Sequence, residues 1–264
     1  MKNIMLVLML GLAPLNALSN PSTSVDPSVF IGLCEGNIGS GCRDAGDIFR
    51  AYGEDARALE FYKKACELNN ASGCFSLSEM YDKKRKNEQD DLLIIEALTK
   101  ACELDSAIAC SRLGARYYVG EGGVSQDQKL ALKMSKRGCD LGEKLGCLIA
   151  GSIYSSDDVV PRNISQSVSL FNKGCLLSDG ASCHMLASMY YKGDGMEADL
   201  FRAFELFEIA CSLDVAKSCL ILGSMYYLGQ AVRQDSEKAL EHLGKACDLK
   251  DQLGCEAYSM LKQK

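Results

Sequence analysis

The sequence lacks several features that define common functional classes. Its formal net charge is −6 with no basic stripe, which disfavours a nucleic-acid partner because phosphate binding relies on clustered Lys and Arg. Only two histidines occur, His184 and His242, and no carboxylate cluster joins them, so we expect neither a metal nor a cofactor site. No apolar run exceeds about ten residues, whereas a membrane-spanning helix needs about 20. A composition of 47% hydrophobic residues nevertheless predicts a folded chain with a substantial core.

The N-terminal residues have the pattern of a secretory signal peptide. Lys2 precedes an apolar run at positions 4–13, which a proline and small residues up to Ser19 follow. The pattern predicts a signal peptide at 1–19 and a short leader rich in Pro and Ser at 20–28. We therefore expect a secreted or periplasmic protein without a membrane span after cleavage, with an uncleaved amphiphilic anchor as the alternative.

All fourteen cysteines fall into seven pairs whose members are eight positions apart. The pairs are Cys34 and Cys42, Cys66 and Cys74, Cys102 and Cys110, Cys139 and Cys147, Cys175 and Cys183, Cys211 and Cys219, and Cys247 and Cys255. The first cysteines of successive pairs are 32, 36, 37, 36, 36 and 36 residues apart. Because helical-hairpin repeats have this period, the spacing predicts a stack of similar hairpins.

Paired cysteines serve either as disulfides or as metal ligands. An even count in an exported chain favours disulfides, whereas zinc sites typically use Cys-x2-Cys pairs that lie close together in space. Redox-active dithiols also typically show a Cys-x-x-Cys spacing. Because the seven pairs are identical and one repeat apart, we expect a structural disulfide within each pair. Each bridge would close a loop of about nine residues and contribute roughly 2.5 kcal/mol.

Residues after the second cysteine of each pair repeat with helical spacing. Small residues lie four positions after it: Gly46, Ser78, Gly114, Gly151, Ala187 and Gly223. Alanine or leucine lies three positions after it: Ala45, Leu77, Leu113, Ala150, Leu186 and Leu222. Aromatic residues lie seven positions after it: Phe49, Tyr81, Tyr117, Tyr154, Tyr190 and Tyr226. These spacings share one helix face, so the columns predict an α-helix that buries that face.

A second helix is predicted before the first cysteine of each pair. Apolar residues lie seven positions before it: Leu59, Ile95, Leu132, Val168, Phe204 and Leu240. Small residues directly precede it: Ala65, Ala101, Gly138, Gly174, Ala210 and Ala246. Each repeat is therefore expected to contain two helices, the second of which ends near the first cysteine of the next pair.

These small-residue, tyrosine and glycine columns at a 36-residue period resemble Sel1-like repeats, which are related to tetratricopeptide repeats. The Cys-x7-Cys pair in every repeat is similar in particular to the Helicobacter cysteine-rich protein family. The resemblance covers residues 28–264 and implies an all-α fold, a right-handed α/α superhelix (solenoid) of disulfide-stapled helical hairpins. A single solenoid domain is expected at 29–264, with repeats at about 38–69, 70–105, 106–142, 143–178, 179–214 and 215–250 and end caps at 29–37 and 251–264.

The resemblance implies two kinds of function. Repeat scaffolds of this type bind proteins or peptides, whereas members of the cysteine-rich family are described as penicillin-binding proteins or weak β-lactamases. Serine β-lactamases combine S-x-x-K with S-D-N and K-T-G, and only the first pattern occurs here, from Ser259 to Lys262. A Ser-His-Asp arrangement stays open because its members meet only in space. We predict a binding protein, with β-lactam hydrolysis as the alternative and no assigned catalytic residue.

The tetratricopeptide relationship implies that the helix after the second cysteine lines the concave side of the solenoid. The expected binding residues are Phe75, Glu79, Tyr118, His184, Tyr191 and Tyr227, with Asp82, Ser111, Ser188, Lys217, Ser224 and Glu256 beside them. Aromatics beside small polar groups are typical of recognition surfaces. Tyr190, from the aromatic column, is expected in the core instead. The expected partner is a protein or peptide of a host or of the cell envelope, or else a β-lactam or peptidoglycan fragment.

Overall fold

The computed structural model of the protein describes residues 26–85, 87–157 and 160–263. The expected signal peptide at 1–19 and most of the expected leader at 20–28 lie outside the described residues. Among the described residues, no helix is both long and apolar enough to cross a membrane.

Fourteen helices and no strand are found in this described part of the chain. Seven helices carry the second cysteine of a pair and are called A helices here: α2 (Gly39–Ala51), α4 (Ala71–Lys84), α6 (Ala107–Val119), α8 (Lys144–Ser155), α10 (Gly180–Lys192), α12 (Ala216–Leu228) and α14 (Gln252–Lys262). Seven carry the first cysteine and are called B helices: α1 (Ser28–Glu35), α3 (Asp55–Glu67), α5 (Glu88–Glu103), α7 (Gln128–Asp140), α9 (Ile164–Leu176), α11 (Leu200–Ser212) and α13 (Ser236–Asp248).

Each B helix passes into the next A helix through the same short turn. The residue three positions after the first cysteine has a positive φ in all seven turns: Asn37, Asn69, Asp105, Gly142, Ser178, Asp214 and Lys250. The next residue then donates its backbone N–H to a carbonyl in the last turn of the B helix, as Asn70 does to Ala65 at 3.0 Å. This left-handed helix ending reverses the chain tightly. It brings the paired cysteines to Cα–Cα distances of 4.4 Å, as in Cys34–Cys42, to 4.8 Å in Cys211–Cys219.

The small-residue columns allow the helices to approach each other closely. A Cβ added to Gly46 would lie 2.6 Å from the ring of Tyr62, and one added to Gly151 would lie 2.7 Å from the ring of Phe171. Both rings are fully buried. The small column after the second cysteine therefore makes room for a large side chain of the following B helix, which confirms the predicted burial of that face.

The A helices form the inner side of the stack. The most extensive contacts between equivalent helices of neighbouring repeats are made by A helices, as α6 with α8 and α2 with α4, compared with α7 with α9. In a curved stack, the helices on the inner side approach each other more closely. The predicted all-α solenoid of disulfide-stapled hairpins is confirmed.

Candidate binding face on the A helices

We define the A face as the A-helix positions one, five and eight residues after the second cysteine of each pair, together with the charged residues of adjacent A helices that form ion pairs with them. The six residues predicted for binding lie there and are all half-buried: Phe75 and Glu79 on α4, Tyr118 on α6, His184 and Tyr191 on α10, and Tyr227 on α12. Half-burial leaves part of each side chain open to a partner while the rest packs against the solenoid. Their role in binding stays a prediction.

The part of the A face on α2, α4 and α6 is charged. The Glu79 carboxylate accepts hydrogen bonds from Arg50 at 3.2 Å and from Arg112 at 3.4 Å. One helical turn further on, Asp82 accepts from Arg116 at 3.0 Å. Each contact joins neighbouring A helices, so these side chains form a continuous row across three repeats. Sequence reasoning found the carboxylates but missed the arginines, because only the helix packing shows which residues of adjacent repeats meet.

A cleft of about 250 Å³ opens within this charged part, between α4, α5 and α6. Its lining residues are Ser78, Asp82, Ile94, Leu98, Arg112, Ala115 and Arg116. The cleft thus has an apolar floor and a charged rim, with two guanidinium groups beside one carboxylate. Its size is below that of most small-molecule sites and is closer to the volume of a single side chain.

The part of the A face on α10 and α12 is aromatic. The rings of His184 and Tyr191 pack against the buried ring of Phe207, at centroid distances of 5.7 and 6.1 Å respectively. The Tyr191 hydroxyl donates to Gln230 Oε1 at 3.3 Å, and His184 Nδ1 lies 2.8 Å from Ser218 Oγ. Both polar partners belong to the next repeat. These contacts hold the rings in defined positions, which reduces the entropy lost when a partner binds.

Two sequence predictions for this face need correction. Ser111 was expected to face the groove, but its side chain is fully buried. The position after the second cysteine points towards the start of the next A helix: Ser111 Oγ lies against Gly146, just as His184 lies against Ser218. Tyr190 was expected in the core and does pack against buried core residues, but it is only half-buried, and its hydroxyl accepts a hydrogen bond from Arg202 at 3.1 Å.

Burial lowers the pKa of His184, and the nearby positive charges of Lys217 and Lys192 lower it further. The ring is therefore neutral at neutral pH. Burial also lowers the pKa of His242, whose ring stacks on Tyr226 at a centroid distance of 5.3 Å.

We expect the free energy of unfolding to fall as the pH decreases from about 7 to 5. A histidine whose pKa is lowered by folding binds fewer protons in the folded state, so stability is full above the unfolded value of about 6.5 and is lost below it. The His184→Asn variant should lose less stability over this range than the wild type, because only His242 still contributes. Urea unfolding at several pH values measures this difference. Identical pH dependences in the two proteins would show that His184 is not the buried neutral group described here.

The Ser218–His184 pair is not arranged for nucleophilic catalysis. The Ser218 side chain is fully buried, so its hydroxyl cannot reach a substrate carbonyl. The serine of the sequence pattern, Ser259, is exposed on the terminal helix α14, where Lys262 Nζ lies 3.4 Å from the Tyr258 hydroxyl. A serine on an open helix lacks the water-excluded pocket that acyl transfer needs. Nothing in the described residues supports the β-lactamase alternative.

Comparison with known proteins agrees with the repeat architecture. A crystal structure of a protective antigen present in uropathogenic Escherichia coli strains, which displays an SLR fold, superposes with a TM-score of 0.80 at 20% identity, covering 87% of this chain and 50% of that one. Helicobacter pylori cysteine rich protein B matches with 30% identity and a TM-score of 0.42, covering 50% of this chain and 94% of that one.

A curated sequence relative is cytochrome c oxidase assembly factor 7 of Xenopus tropicalis, 29% identical over 114 residues that make up 43% of this chain and 34% of the relative. This chain therefore spans about a third of the length of the curated relatives it matches. The profile of the Sel1 repeat matches residues 50–70, 107–143, 145–179, 180–215 and 216–251, which is more than half of the sequence. The chain thus belongs to the Sel1 repeat family.

Proposed function

We propose that this protein is exported, to the periplasm or to the cell exterior, and there binds an extended segment of a protein or peptide along its A face. The observation that carries the proposal is the row of half-exposed A-face side chains that contacts to neighbouring repeats hold in place. Solenoids present such rows as extended concave surfaces. The Sel1 fold itself is typical of protein–protein interaction.

Seven disulfides support the location. No free cysteine remains among the described residues, and disulfides form and persist in oxidising compartments rather than in the cytosol. They indicate an oxidising environment, and the sequence pattern of residues 1–19 favours export as the route to it.

The two parts of the A face favour a bipartite partner segment. The aromatic part offers ring surfaces with polar tips, which recognition surfaces use at low entropic cost. The charged part offers Arg112 and Arg116 around the small cleft, which favours an acidic side chain there because a guanidinium binds carboxylates in a planar geometry. We infer that the partner segment carries an acidic residue at one end and apolar residues at the other. The curated relatives are named as assembly factors, and a protein-binding role is in keeping with that name.

Peptides selected from a random display library on the oxidised protein test this proposal. We expect Tyr191→Ala to weaken binding of a selected peptide by at least about tenfold, because loss of an aromatic anchor typically costs about 2 kcal/mol. Fluorescence anisotropy measures the affinity, and a melting curve checks that the variant is folded.

Phe201→Ala is the matched control, because Phe201 is an aromatic residue of B helix α11 that is 71% exposed and lies outside the A face. It should leave peptide affinity unchanged. If the two variants bind equally well, the site is not on the A face. If no peptide is selected, the protein does not bind extended segments and the proposal fails.

A further inference from the structure

We use the term turn edge for the edge of the solenoid at which the B helices end. This edge carries a repeated ion pair. A basic residue two positions before the first cysteine reaches an acidic residue at the end of the preceding B helix or in the turn that follows it. Lys173 Nζ lies 3.8 Å from Asp140, and Lys245 Nζ lies 3.0 Å from Asp214. Arg137 makes the equivalent pair with Asp105 at 2.8 Å. The turn edge is therefore charged in those repeats that contain both members of the ion pair.

This pattern is interrupted between α9 and α11. Neither acidic position is filled there, because Leu176 occupies the position that Asp140 holds one repeat earlier and Ser178 occupies the position of Asp105 and Asp214. Ile209 occupies the position of Lys173 and Lys245. The residues that correspond to the Lys173–Asp140 pair are thus both apolar, and the equivalence of the repeats places them next to each other. Leu176 is 78% exposed and Ile209 is 44% exposed.

Neighbouring leucines extend this apolar patch. Leu177 and Leu213, both at the position two residues after the first cysteine, are each 37% exposed. Leu213 packs against the start of α10 at Gly180, so it borders the same edge. A cluster of exposed apolar side chains with a charged surround is typical of an interaction site.

The charges on either side of the patch have a self-complementary order. From the N-terminal towards the C-terminal repeats, the residues along the turn edge are Asp140, Lys173, Leu176, Ile209, Asp214 and Lys245. Reversal of this order places a base opposite each acid and Ile209 opposite Leu176. A two-fold axis between Leu176 and Ile209 would therefore pair Lys173 with Asp214 of a second copy, and Asp140 with Lys245.

We propose that the patch is the centre of an isologous dimer of this chain. In such a dimer the same surface of both copies is used, and the contact closes without forming a filament. The apolar residues would supply most of the affinity, whereas the charges would fix the orientation, since exposed ion pairs contribute little energy and much specificity. Asp140 and Asp214 are 64% and 69% exposed and so remain accessible despite their contacts within the chain.

The dimer would leave the A face free, because the turn edge lies where the helices end rather than along the A helices. This inference does not depend on the proposed peptide binding. If both hold, two A faces would be available in one particle, and a partner with two binding segments would gain avidity.

Sedimentation velocity of the oxidised protein over a range of concentrations tests the dimer. We expect the wild type to shift from the mass of one chain towards that of two as its concentration rises. The double variant L176D/I209K, which restores the charge pattern of Asp140 and Lys173 within the chain, should sediment as a monomer and melt at the temperature of the wild type. Leu228→Asp is the control, because Leu228 is 61% exposed at the end of A helix α12, and it should leave the mass unchanged. A wild type that is monomeric throughout, or a double variant that still dimerises, would overturn the proposal.

Charge reversal tests the orientation of the two copies. Lys173→Glu alone should weaken the dimer by about three- to tenfold, because it places like charges opposite each other twice. Combined with Asp214→Lys, it should recover the wild-type dimer, since the pair across the axis is restored while the pairs within each chain are not. If the combined variant is weaker than either single variant, the proposed axis is wrong.

Discussion

Reduction of the seven disulfides is expected to lower the melting temperature of this protein by more than about 10 °C. Each bridge closes a loop of about nine residues, for which chain entropy gives about 2.5 kcal/mol. If only a third of the total is realised, the loss is about 6 kcal/mol, which is comparable with the whole stability of an ordinary domain. At 2–4 °C per kcal/mol for a chain of about this length, the shift is large. Thermal melts followed by the helical circular dichroism signal, with and without reductant, measure it.

Two outcomes would contradict the role of the bridges. Free thiols in the denatured, unreduced protein, or a mapped link between cysteines of different pairs, would show that the pairing differs from that described here. An unchanged melting temperature after full reduction would show that helix packing alone stabilises the solenoid.

Removal of a single bridge offers an internal control. The central pair Cys139–Cys147 is buried between helices with neighbours on both sides, whereas Cys247–Cys255 is half-buried at the terminal helix. Replacing the central pair by alanine should therefore have the larger effect.

The helices and their buried faces could be predicted because the same constraint recurs in every repeat. The fixed spacing of the cysteines sets the register, and once the repeats are aligned, columns such as Gly46, Gly151 and Gly223 stand out against variable positions. A small residue in such a column has one physical cause, a close approach of two helices, and the structure shows that approach. The repeated columns therefore supply information about helix contacts that the sequence of a single hairpin would not contain.

The left-handed conformation of the turns between B and A helices could not be predicted, because it is a property of the backbone and not of a side-chain type. Asn69, Gly142, Ser178 and Lys250 share a positive φ but no side-chain character. The left-handed conformation is imposed by the backbone hydrogen bonds that end the B helix, so residues other than glycine are accepted at a modest energetic cost.

The side-chain contacts between repeats also could not be predicted from the sequence. Arg50, Glu79 and Arg112 are 29 and 33 residues apart along their row, and no local pattern joins them. Ser111 was misplaced for the same reason, since the direction of its side chain depends on where the next A helix begins. The A face was thus predicted as a surface, whereas the contacts that order it became visible only in the packed stack.

The second large effect is expected at Gly146, which directly precedes Cys147 on α8. A Cβ added there would overlap the backbone carbonyl oxygen of Ser135 and lie 2.7 Å from the backbone nitrogen of Cys139. Both atoms belong to α7, which the disulfide holds at a Cα–Cα distance of 4.6 Å from α8. The helices cannot separate without straining that bridge, so Gly146→Ala should lower the free energy of unfolding by about 3 kcal/mol. Urea denaturation of the oxidised protein measures the change.

Gly32→Ala is the control for this substitution, because Gly32 also lies within a helix, α1, but a Cβ added there would meet nothing within 4 Å. That variant should be as stable as the wild type or more stable by up to about 1 kcal/mol, since alanine favours the helix over glycine. The two variants make the same chemical change and differ only in the distance to the neighbouring helix. A Gly146→Ala protein as stable as Gly32→Ala would therefore mean that α7 and α8 do not approach as closely as described. A large loss at Gly146 alone would show that the disulfide and the small residue beside it act together, because both require the same short distance between α7 and α8.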